Sequence, residues 1–199
     1  SLLKVKSVFT HLVASEDPAE DKFSRQQIHQ YQFMYDQLVS AIGYSPMRHT
    51  LNSAGILRFP EYQMDMVRLG LGLYGVNTTE NVCDLQPISQ LKTTISQIKH
   101  LGAGESVGYN RAGKVMKPKT IATLAIGYAD GLDRRLGNGK LKVWIHGQPA
   151  TTIGNICMDM TMVDVSRLDA RVGDEVVIFG KEQHVKVLAE AMGTIPYEV

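Results

Sequence analysis

The first third of the chain alternates between strand-like and helix-like patterns of apolar residues. Residues 5–14 form an apolar run that predicts a strand, and Arg48-His49-Thr50-Leu51 predicts a second one. Between them, Ser24 and Gln27 have the spacing of a capping box, which predicts the start of a helix that Gly43 can close. The apolar positions that recur at helical intervals are Ile28, Tyr31, Tyr35, Leu38, Val39 and Ile42. The order strand, helix, strand favours parallel β/α units.

A third apolar stretch, residues 65–75, places a single arginine among glycines. We predict a strand here, with Arg68 at a buried or half-buried position where its guanidinium must find acceptors. Gly70 and Gly72 would allow the backbone to approach an anion closely. A buried strand with a structural ion pair would give the same pattern. Because an eight-stranded barrel needs more units than this, residues 1–77 are predicted to be the last βα units of an incomplete (β/α)8 barrel.

The pattern changes after residue 78. Residues 78–90 are predicted to be a linker, and residues 91–199 a β domain with a single helix at 185–192. Short strands separated by Gly, Asn, Asp and Pro indicate a small antiparallel barrel or sandwich. The predicted strands are 91–101, 121–126, 141–145, 150–153, 160–165 and 176–179. The fold class is therefore α/β plus β.

The composition mainly excludes some classes of partner and location. The 199 residues are 44% hydrophobic and 21% charged, and a net charge of +1 gives no electrostatic reason to expect nucleic acid or an anionic membrane as partner. No apolar run has the roughly 18–20 residues of a membrane span, and no secretory leader is visible. Cys83 and Cys157 are isolated, so we expect reduced thiols and a cytoplasmic location. Both chain ends read as cuts inside a longer protein.

Polar groups follow three consecutive predicted strands of the first part. They are His11, the pair Asn52-Ser53, and Arg68 with Gly70. In a parallel barrel, the carboxyl ends of strands converge on the ligand site. Taken singly, such a histidine is typical of a structural role and such an Asn-Ser pair of a cap. Together they predict a pocket with an imidazole, a hydroxyl, backbone donors and a permanent cation, which suits a phosphorylated aromatic cofactor.

The second part offers a tyrosine and two polar breaks. Tyr109 follows a turn, where its phenol would be displayed as an acid–base group, although it could also simply pack at a strand start. Residues 126–131 and 154–159 interrupt apolar strands with polar residues. The residues alone predict a cleft between a barrel and a β domain with a candidate acid–base tyrosine.

Seven short motifs in this order resemble the pyridoxal-phosphate alanine racemases. They are Thr10-His11-Leu12, Asn52-Ser53-Ala54, Met66-Val67-Arg68-Leu69-Gly70, Gly108-Tyr109, Ile126-Gly127-Tyr128-Ala129-Asp130-Gly131, Ile156-Cys157-Met158-Asp159 and Pro196-Tyr197-Glu198-Val199. The resemblance implies an amino-terminal (β/α)8 barrel, a carboxyl-terminal β domain and a head-to-tail homodimer. It implies interconversion of L- and D-alanine for peptidoglycan synthesis by two-base proton transfer.

The resemblance also assigns roles to residues. Arg68 would face the pyridine nitrogen of pyridoxal phosphate and keep it unprotonated. Tyr109 would be one of two opposed proton-transfer groups, reaching into the partner subunit's barrel. The Met158 backbone would meet the substrate carboxylate with Asp159 beside it, and Tyr128 would narrow access to the site. The remaining cofactor contacts would be His11 and Asn52 along the ring, and Ser53, Gly70, Leu71 and Tyr197 at the phosphate.

The sequence departs from the family in one important respect. Three family residues would all precede residue 1: the lysine that binds the cofactor covalently, an arginine that steers the substrate and a tyrosine that contacts the phosphate. Lys4 and Lys6 do not replace that lysine, because they precede a different strand. We therefore expect this chain alone to be inactive. Two alternatives stay open: another barrel enzyme of this cofactor class, such as an amino-acid decarboxylase, and a non-catalytic dimerisation module. Decarboxylases of this class place a carboxylate opposite the pyridine nitrogen. An arginine at position 68 therefore argues against the decarboxylase alternative.

Overall fold

Strand, helix and strand follow one another in the amino-terminal part of the computed structural model, as the hydrophobic pattern predicts. The structure describes residues 3–77, 79 and 85–199. It divides between Gln86 and Pro87 into two units, the first α/β and the second largely β. The predicted linker 78–90 includes residues 78 and 80–84, which lie outside the described residues, as does Cys83.

The first unit is a two-stranded parallel sheet covered by a long helix. Its elements are β1 (Ser7–Phe9), α1 (Asp21–Ile42), β2 (Met47–His49) and α2 (Ser53–Arg58). The two strands pair in parallel because α1 returns the chain to the same end of the sheet. Tyr31 and Tyr35 of α1 anchor it, since their hydroxyls donate to the carbonyls of Val8 at 2.9 Å and Pro46 at 2.6 Å. Both strands are shorter than predicted. The core of this unit is Leu12, Ile28, Leu51 and Phe59.

The capping box predicted for α1 is wrong. The helix begins at Asp21, so Ser24 lies inside it and is fully buried. The chain enters α1 through a 3₁₀ turn at Pro18–Glu20, which Asp17 caps by accepting the Ala19 N–H at 2.9 Å. This acidic cap with proline in the first turn is an equally good start signal, placed earlier in the sequence.

The strand predicted around Arg68 is also not formed. The stretch runs along the outer side of β2 but makes only isolated backbone bonds, from the Asp65 N–H to the Arg48 carbonyl at 3.2 Å and from the Arg68 N–H to the Leu51 carbonyl at 2.9 Å. It then turns into a 3₁₀ segment at Leu71–Tyr74. The apolar composition of this stretch does not mean that it is buried, since Leu69, Leu73 and Tyr74 are 53%, 57% and 52% exposed. Two backbone bonds with irregular spacing do not make a strand ladder.

The second unit is a closed antiparallel barrel, which decides between the barrel and the sandwich predicted from sequence. Its strands follow the order β10-β3-β6-β9-β8-β7, and β10 closes the sheet by pairing with both β3 and β7. A small β4–β5 ribbon and one helix complete it. The elements are β3 (Leu91–Leu101), β4 (Ser106–Val107), β5 (Gly113–Lys114), β6 (Lys119–Leu124), β7 (Lys142–Ile145), β8 (Gln148–Thr152), β9 (Thr161–Asp164), β10 (Glu175–Phe179) and α3 (Val185–Met192).

The barrel interior is filled by alternate residues of its strands. In β7, Val143 and Ile145 are buried, whereas Lys142 is exposed and Trp144 is half-buried. This alternation has the period of two residues that is typical of a half-buried strand. Ile95, Leu124, Val163 and Val176 extend this core. The barrel is therefore a packed scaffold, and its loops carry the chemistry-bearing side chains.

Candidate active site

Arg68 is held among backbone carbonyls at the carboxyl ends of β1 and β2. Its Nη2 donates to the carbonyls of Thr10 at 2.8 Å and Thr50 at 3.0 Å, and its Nη1 lies 3.1 Å from His11 Nδ1. The guanidinium carbon lies 4.9 Å from the centre of the Phe9 ring, a cation–π distance. Nε is buried and has no hydrogen-bond partner in the described chain. Arg68 thus keeps a buried Nε–H donor available for a ligand.

The contact with Arg68 determines which nitrogen of the His11 ring acts as the acceptor. A guanidinium has only donors, so Nδ1 of His11 must accept and the imidazole proton must lie on Nε2. Burial lowers the pKa of Arg68, yet arginine stays protonated at any physiological pH. The pair therefore places an imidazole nitrogen that accepts a hydrogen bond beside a fixed positive charge.

His49 belongs to the same cluster, although sequence reasoning did not single it out. It is buried on β2 and stacks on Phe9, with ring centroids 5.2 Å apart and planes 10° from parallel. Burial, and then the charge of Arg68, lower the pKa of His49, so it is neutral near pH 7. The available signal was its position directly before Thr50-Leu51 at the strand end, which does not by itself distinguish it from a core histidine.

Ser53 gathers backbone donors from the glycine-containing stretch. Its Oγ accepts the N–H of Gly70 at 2.8 Å and of Gly72 at 3.1 Å. A Cβ on Gly72 would lie 2.9 Å from Leu69 Cδ1 and 3.4 Å from Ser53 Oγ, so a side chain there would crowd the hydroxyl. Convergent N–H groups of this kind are typical of phosphate-binding turns.

Asn52 acts first as the cap of α2. Its Oδ1 accepts the Gly55 N–H at 2.9 Å and the Ser15 hydroxyl at 2.8 Å, and its Nδ2 donates to the Leu12 carbonyl at 3.3 Å. These bonds fix the direction in which the following Ser53 leaves the strand end. The structure thus brings His11, Ser53 and Arg68 to one end of the small sheet.

In the second unit, a strained turn displays Tyr109. Gly108, Asn110 and Arg111 all have positive φ, and Asn110 and Arg111 are not glycines. Asn155 holds the turn by donating from Nδ2 to the Tyr109 carbonyl at 3.3 Å. The Tyr109 side chain is 71% exposed. Left-handed conformations at non-glycine residues cost free energy, so they mark a turn with a defined shape.

Tyr128 and Met158 lie on two segments that are joined through their backbones. The Tyr128 N–H donates to the Cys157 carbonyl and the Ala129 N–H donates to the Met158 carbonyl, both at 2.9 Å. A Cβ at Gly127 would lie 2.2 Å from the Met158 oxygen, so only glycine permits this approach. The Tyr128 ring also faces the Arg134 guanidinium at 5.9 Å. These contacts fix the orientation of the Met158 peptide.

The remaining predicted site residues are at the surface of the second unit. Asp159 is exposed, and Tyr197 is 62% exposed in the carboxyl-terminal turn. Cys157 is a free, half-buried thiol. Within residues 3–77, 79 and 85–199, no three His, Cys, Asp or Glu side chains are grouped as metal ligands. In the same ranges no helix has the length and apolar character needed to cross a membrane.

Both parts of the chain match models of one enzyme family. The model described as "Alanine racemase, N-terminal domain" matches residues 1–78, and "Alanine racemase, C-terminal domain" matches residues 88–199. The chain belongs to the alanine racemase family. The resemblance inferred from the seven motifs is therefore confirmed.

The relatives that the chain matches are longer than the chain itself. It is 39% identical to the alanine racemase of Clostridium novyi and 38% identical to that of Clostridium kluyveri, covering 99% of this chain but 53% and 52% of those proteins. The alanine racemase of Clostridium difficile 630 in complex with cycloserine superposes with a TM-score of 0.90 at 34% identity, over 98% of this chain and 53% of that one. The Bartonella henselae enzyme with covalently bound pyridoxal phosphate gives 0.87 at 30% identity, with the same coverage. The chain spans about half the length of the relatives it matches.

Proposed function

We propose that this chain is part of an alanine racemase that interconverts L- and D-alanine with pyridoxal 5'-phosphate. The observation that carries the proposal is the unpartnered, buried Nε of Arg68. The other donors that Arg68 uses are occupied by His11, Thr10 and Thr50. A pyridine nitrogen is a hydrogen-bond acceptor that could pair with this Nε–H.

The described residues of the first unit fit this cofactor. The group supplies, when bound, an electron sink that makes the α-proton of an amino acid acidic. Arg68 would hold the pyridine nitrogen as an acceptor and keep it unprotonated, which limits how strongly the ring withdraws electrons. Ser53 and the backbone at Gly70 and Leu71 would bind the phosphate, and His11 and Asn52 would line the ring. Tyr197 would also contact the phosphate, a role carried over from the resemblance.

Residues of the second unit would handle the proton and the substrate. Tyr109 Oη would take the α-proton from one face of alanine or return it. The Met158 backbone and Asp159 would meet the substrate carboxylate, and Tyr128 would limit access. A head-to-tail homodimer, a cytoplasmic location, and the domain limits 1–77 and 91–199 are part of the same proposal.

The full-length parent protein tests the function. We expect it to convert L-alanine to D-alanine, measured by optical rotation, and to release no carbon dioxide from amino acids. Arg68→Lys keeps a positive charge but loses the Nε donor, and it should reduce racemisation strongly while the fold survives. Decarboxylation without racemisation would instead support the alternative enzyme of the same cofactor class. Racemisation by Arg68→Lys at the wild-type rate would contradict the role given to the Arg68 Nε donor.

A further inference from the structure

The turn that displays Tyr109 is tied to the loop after β8 by a side-chain amide. The Tyr109 carbonyl accepts two hydrogen bonds, one from the Ala112 N–H within the turn and one from Nδ2 of Asn155, both at 3.3 Å. Asn155 is 46 positions further along the chain, so its bond is a tertiary contact. The Tyr109 ring is 71% exposed and gives the turn little packing of its own. The place of this turn on the barrel therefore depends on backbone contacts and on Asn155.

Asn138 fixes the direction of the Asn155 amide. Nδ2 of Asn138 donates to Oδ1 of Asn155 at 2.8 Å, and the Asn138 N–H donates to the Gly154 carbonyl at 2.9 Å. A side-chain amide has one end that accepts and one end that donates. Because Oδ1 of Asn155 is occupied by Asn138, Nδ2 must face the Tyr109 carbonyl. Two amides in series thus connect the 137–139 turn to the turn that carries Tyr109.

The turns that these amides join also approach one another backbone to backbone. A Cβ on Gly154 would lie 2.6 Å from the Val107 oxygen, and one on Gly137 would lie 2.9 Å from the Gly154 oxygen. A Cβ on Gly108 would lie 3.3 Å from the Asn155 nitrogen. Glycine at these positions permits the close approach because it has no side chain. Asn155 is therefore held by closely packed backbone, and its side chain can fix the Tyr109 turn against the barrel.

We propose that Asn155 is a positioning residue for Tyr109, and that Asn138 acts on Tyr109 through Asn155. The inference rests on the proposed function, in which Tyr109 Oη takes or returns the α-proton. A general base must lie within hydrogen-bond reach of the proton that it abstracts. A turn that carries the base on an exposed side chain, and that has lost its bond from Asn155, would hold Oη at that place for a smaller part of the time.

The Met158 peptide is fixed independently of the Asn155 side chain. Although Met158 follows Asn155 by three residues, its carbonyl accepts the Ala129 N–H at 2.9 Å. The neighbouring Cys157 carbonyl accepts the Tyr128 N–H, also at 2.9 Å. Neither bond involves the amide of Asn155. Its replacement should therefore disturb the acid–base group and spare the proposed contact with the substrate carboxylate, so kcat and KM should respond differently.

A double-mutant cycle in the full-length parent tests this role. Asn155→Ala should lower kcat for racemisation about 10–100-fold while KM for alanine changes less than about twofold, because a shift of about 1 Å in a reacting group can cost about 10²-fold. In the Tyr109→Phe background Asn155→Ala should lower kcat no further, since the group that it positions is gone. Asn138→Ala should lower kcat by a smaller factor. Gln148→Ala is the matched control: it removes an exposed amide from β8 and should leave kcat unchanged.

Hydrogen exchange of the same variants, measured by mass spectrometry, needs no activity. Asn155→Ala should speed amide exchange in the peptide that covers residues 108–112. Exchange in the peptide that covers residues 126–131 should not change, because its bonds to Cys157 and Met158 remain. If Asn155→Ala does not fold, Asn138→Ala serves in its place, because it is expected to have the same pattern of exchange and the same lack of effect in the Tyr109→Phe background.

Each result decides the proposal. An equal loss of kcat in the wild-type and Tyr109→Phe backgrounds would show that Asn155 only stabilises the loops, and it would overturn the proposal. An unchanged kcat, or a rise in KM alone, would overturn it as well. Unchanged exchange over residues 108–112 would show that the turn does not depend on Asn155. Faster exchange there in a parent that does not racemise alanine would refute the proposed function instead, and the catalytic role of the contact would be lost with it.

Discussion

Replacing Gly127 with alanine should destabilise the barrel unit, and the cause can be isolated. Gly127 has φ −148° and ψ −163°, an extended conformation that alanine adopts without strain. The new Cβ would lie 2.2 Å from the Met158 oxygen, 2.4 Å from the Cys157 oxygen and 2.5 Å from the Met158 carbonyl carbon. All three are backbone atoms, so no side chain can rotate away. The penalty is therefore one of space alone.

The magnitude follows from what must move. Overpacking of this kind costs about 1–3 kcal/mol. Separating the 127–131 turn from residues 157–158 also stretches the two hydrogen bonds donated by Tyr128 and Ala129, each with a net contribution of about 0.5–1.5 kcal/mol. Because the turn can relax in part, we expect the free energy of unfolding to fall by about 2–4 kcal/mol.

Trp144 is the chain's single tryptophan and lies on β7, so its fluorescence reports on the barrel. Denaturant unfolding of Gly127→Ala should show a lower midpoint with an unchanged slope. Gly102→Ala is the control, since the nearest atom to its Cβ is a side-chain oxygen of Glu105 at 3.5 Å. Equal midpoints for the two variants would refute the close-approach argument. In the full-length parent, Gly127→Ala should also raise KM for alanine more than it lowers kcat, because it displaces the Met158 peptide.

Three further outcomes are expected. In the parent enzyme, Tyr109→Phe should slow racemisation about 10²–10⁴-fold in both directions while cofactor binding survives. Loss of α-deuterium exchange from only one alanine enantiomer would identify the face of the substrate on which Tyr109 acts. Unchanged exchange from both enantiomers would show that Tyr109 is a packing residue. Ser53→Ala in the parent should weaken retention of pyridoxal phosphate on dialysis by roughly tenfold, because it removes one charge-assisted hydrogen bond; full retention would contradict the phosphate role. The hydrogen bond from Arg135 lowers the pKa of Asp133, so Asp133 stabilises the fold above the ordinary aspartate pKa, and this contribution is lost as the pH falls through the lowered value. Asp133→Asn should therefore reduce the free energy of unfolding more at neutral pH than in acid. A difference in unfolding free energy that does not change with pH would exclude the linkage.

Sequence patterns correctly predicted the limits of elements that end at a local signal, such as a glycine that closes a helix. α3 spans Val185–Met192 as predicted, because Gly193 adopts the left-handed conformation that ends it. β3 was also predicted with the observed limits, Leu91–Leu101. Closure of the barrel could not be predicted, since it depends on pairs such as Val176 with Ile145 that no local pattern encodes. Sequence reasoning therefore stopped at a choice between barrel and sandwich.

The candidate site shows the same division. That His11, Ser53 and Arg68 follow successive extended segments was visible, and it predicted their meeting at one sheet end. The direction of each Arg68 donor was not, because it depends on the carbonyls of Thr10 and Thr50 and on packing over Phe9. The unpartnered Nε and the stacked His49 are products of that packing.

The way the barrel closes also determines when it can form. β10 closes the barrel by pairing with both β3 and β7. Its residues Glu175–Phe179 pair with Leu91–Thr94, some 80 residues earlier in the chain. A ribosome would therefore have to release nearly the whole second unit before its sheet could be completed, and until then β3 and β7 would each have an unpaired edge. Contacts this distant in sequence make folding slow, so the nascent second unit would depend on the final strand to protect it from aggregation during synthesis.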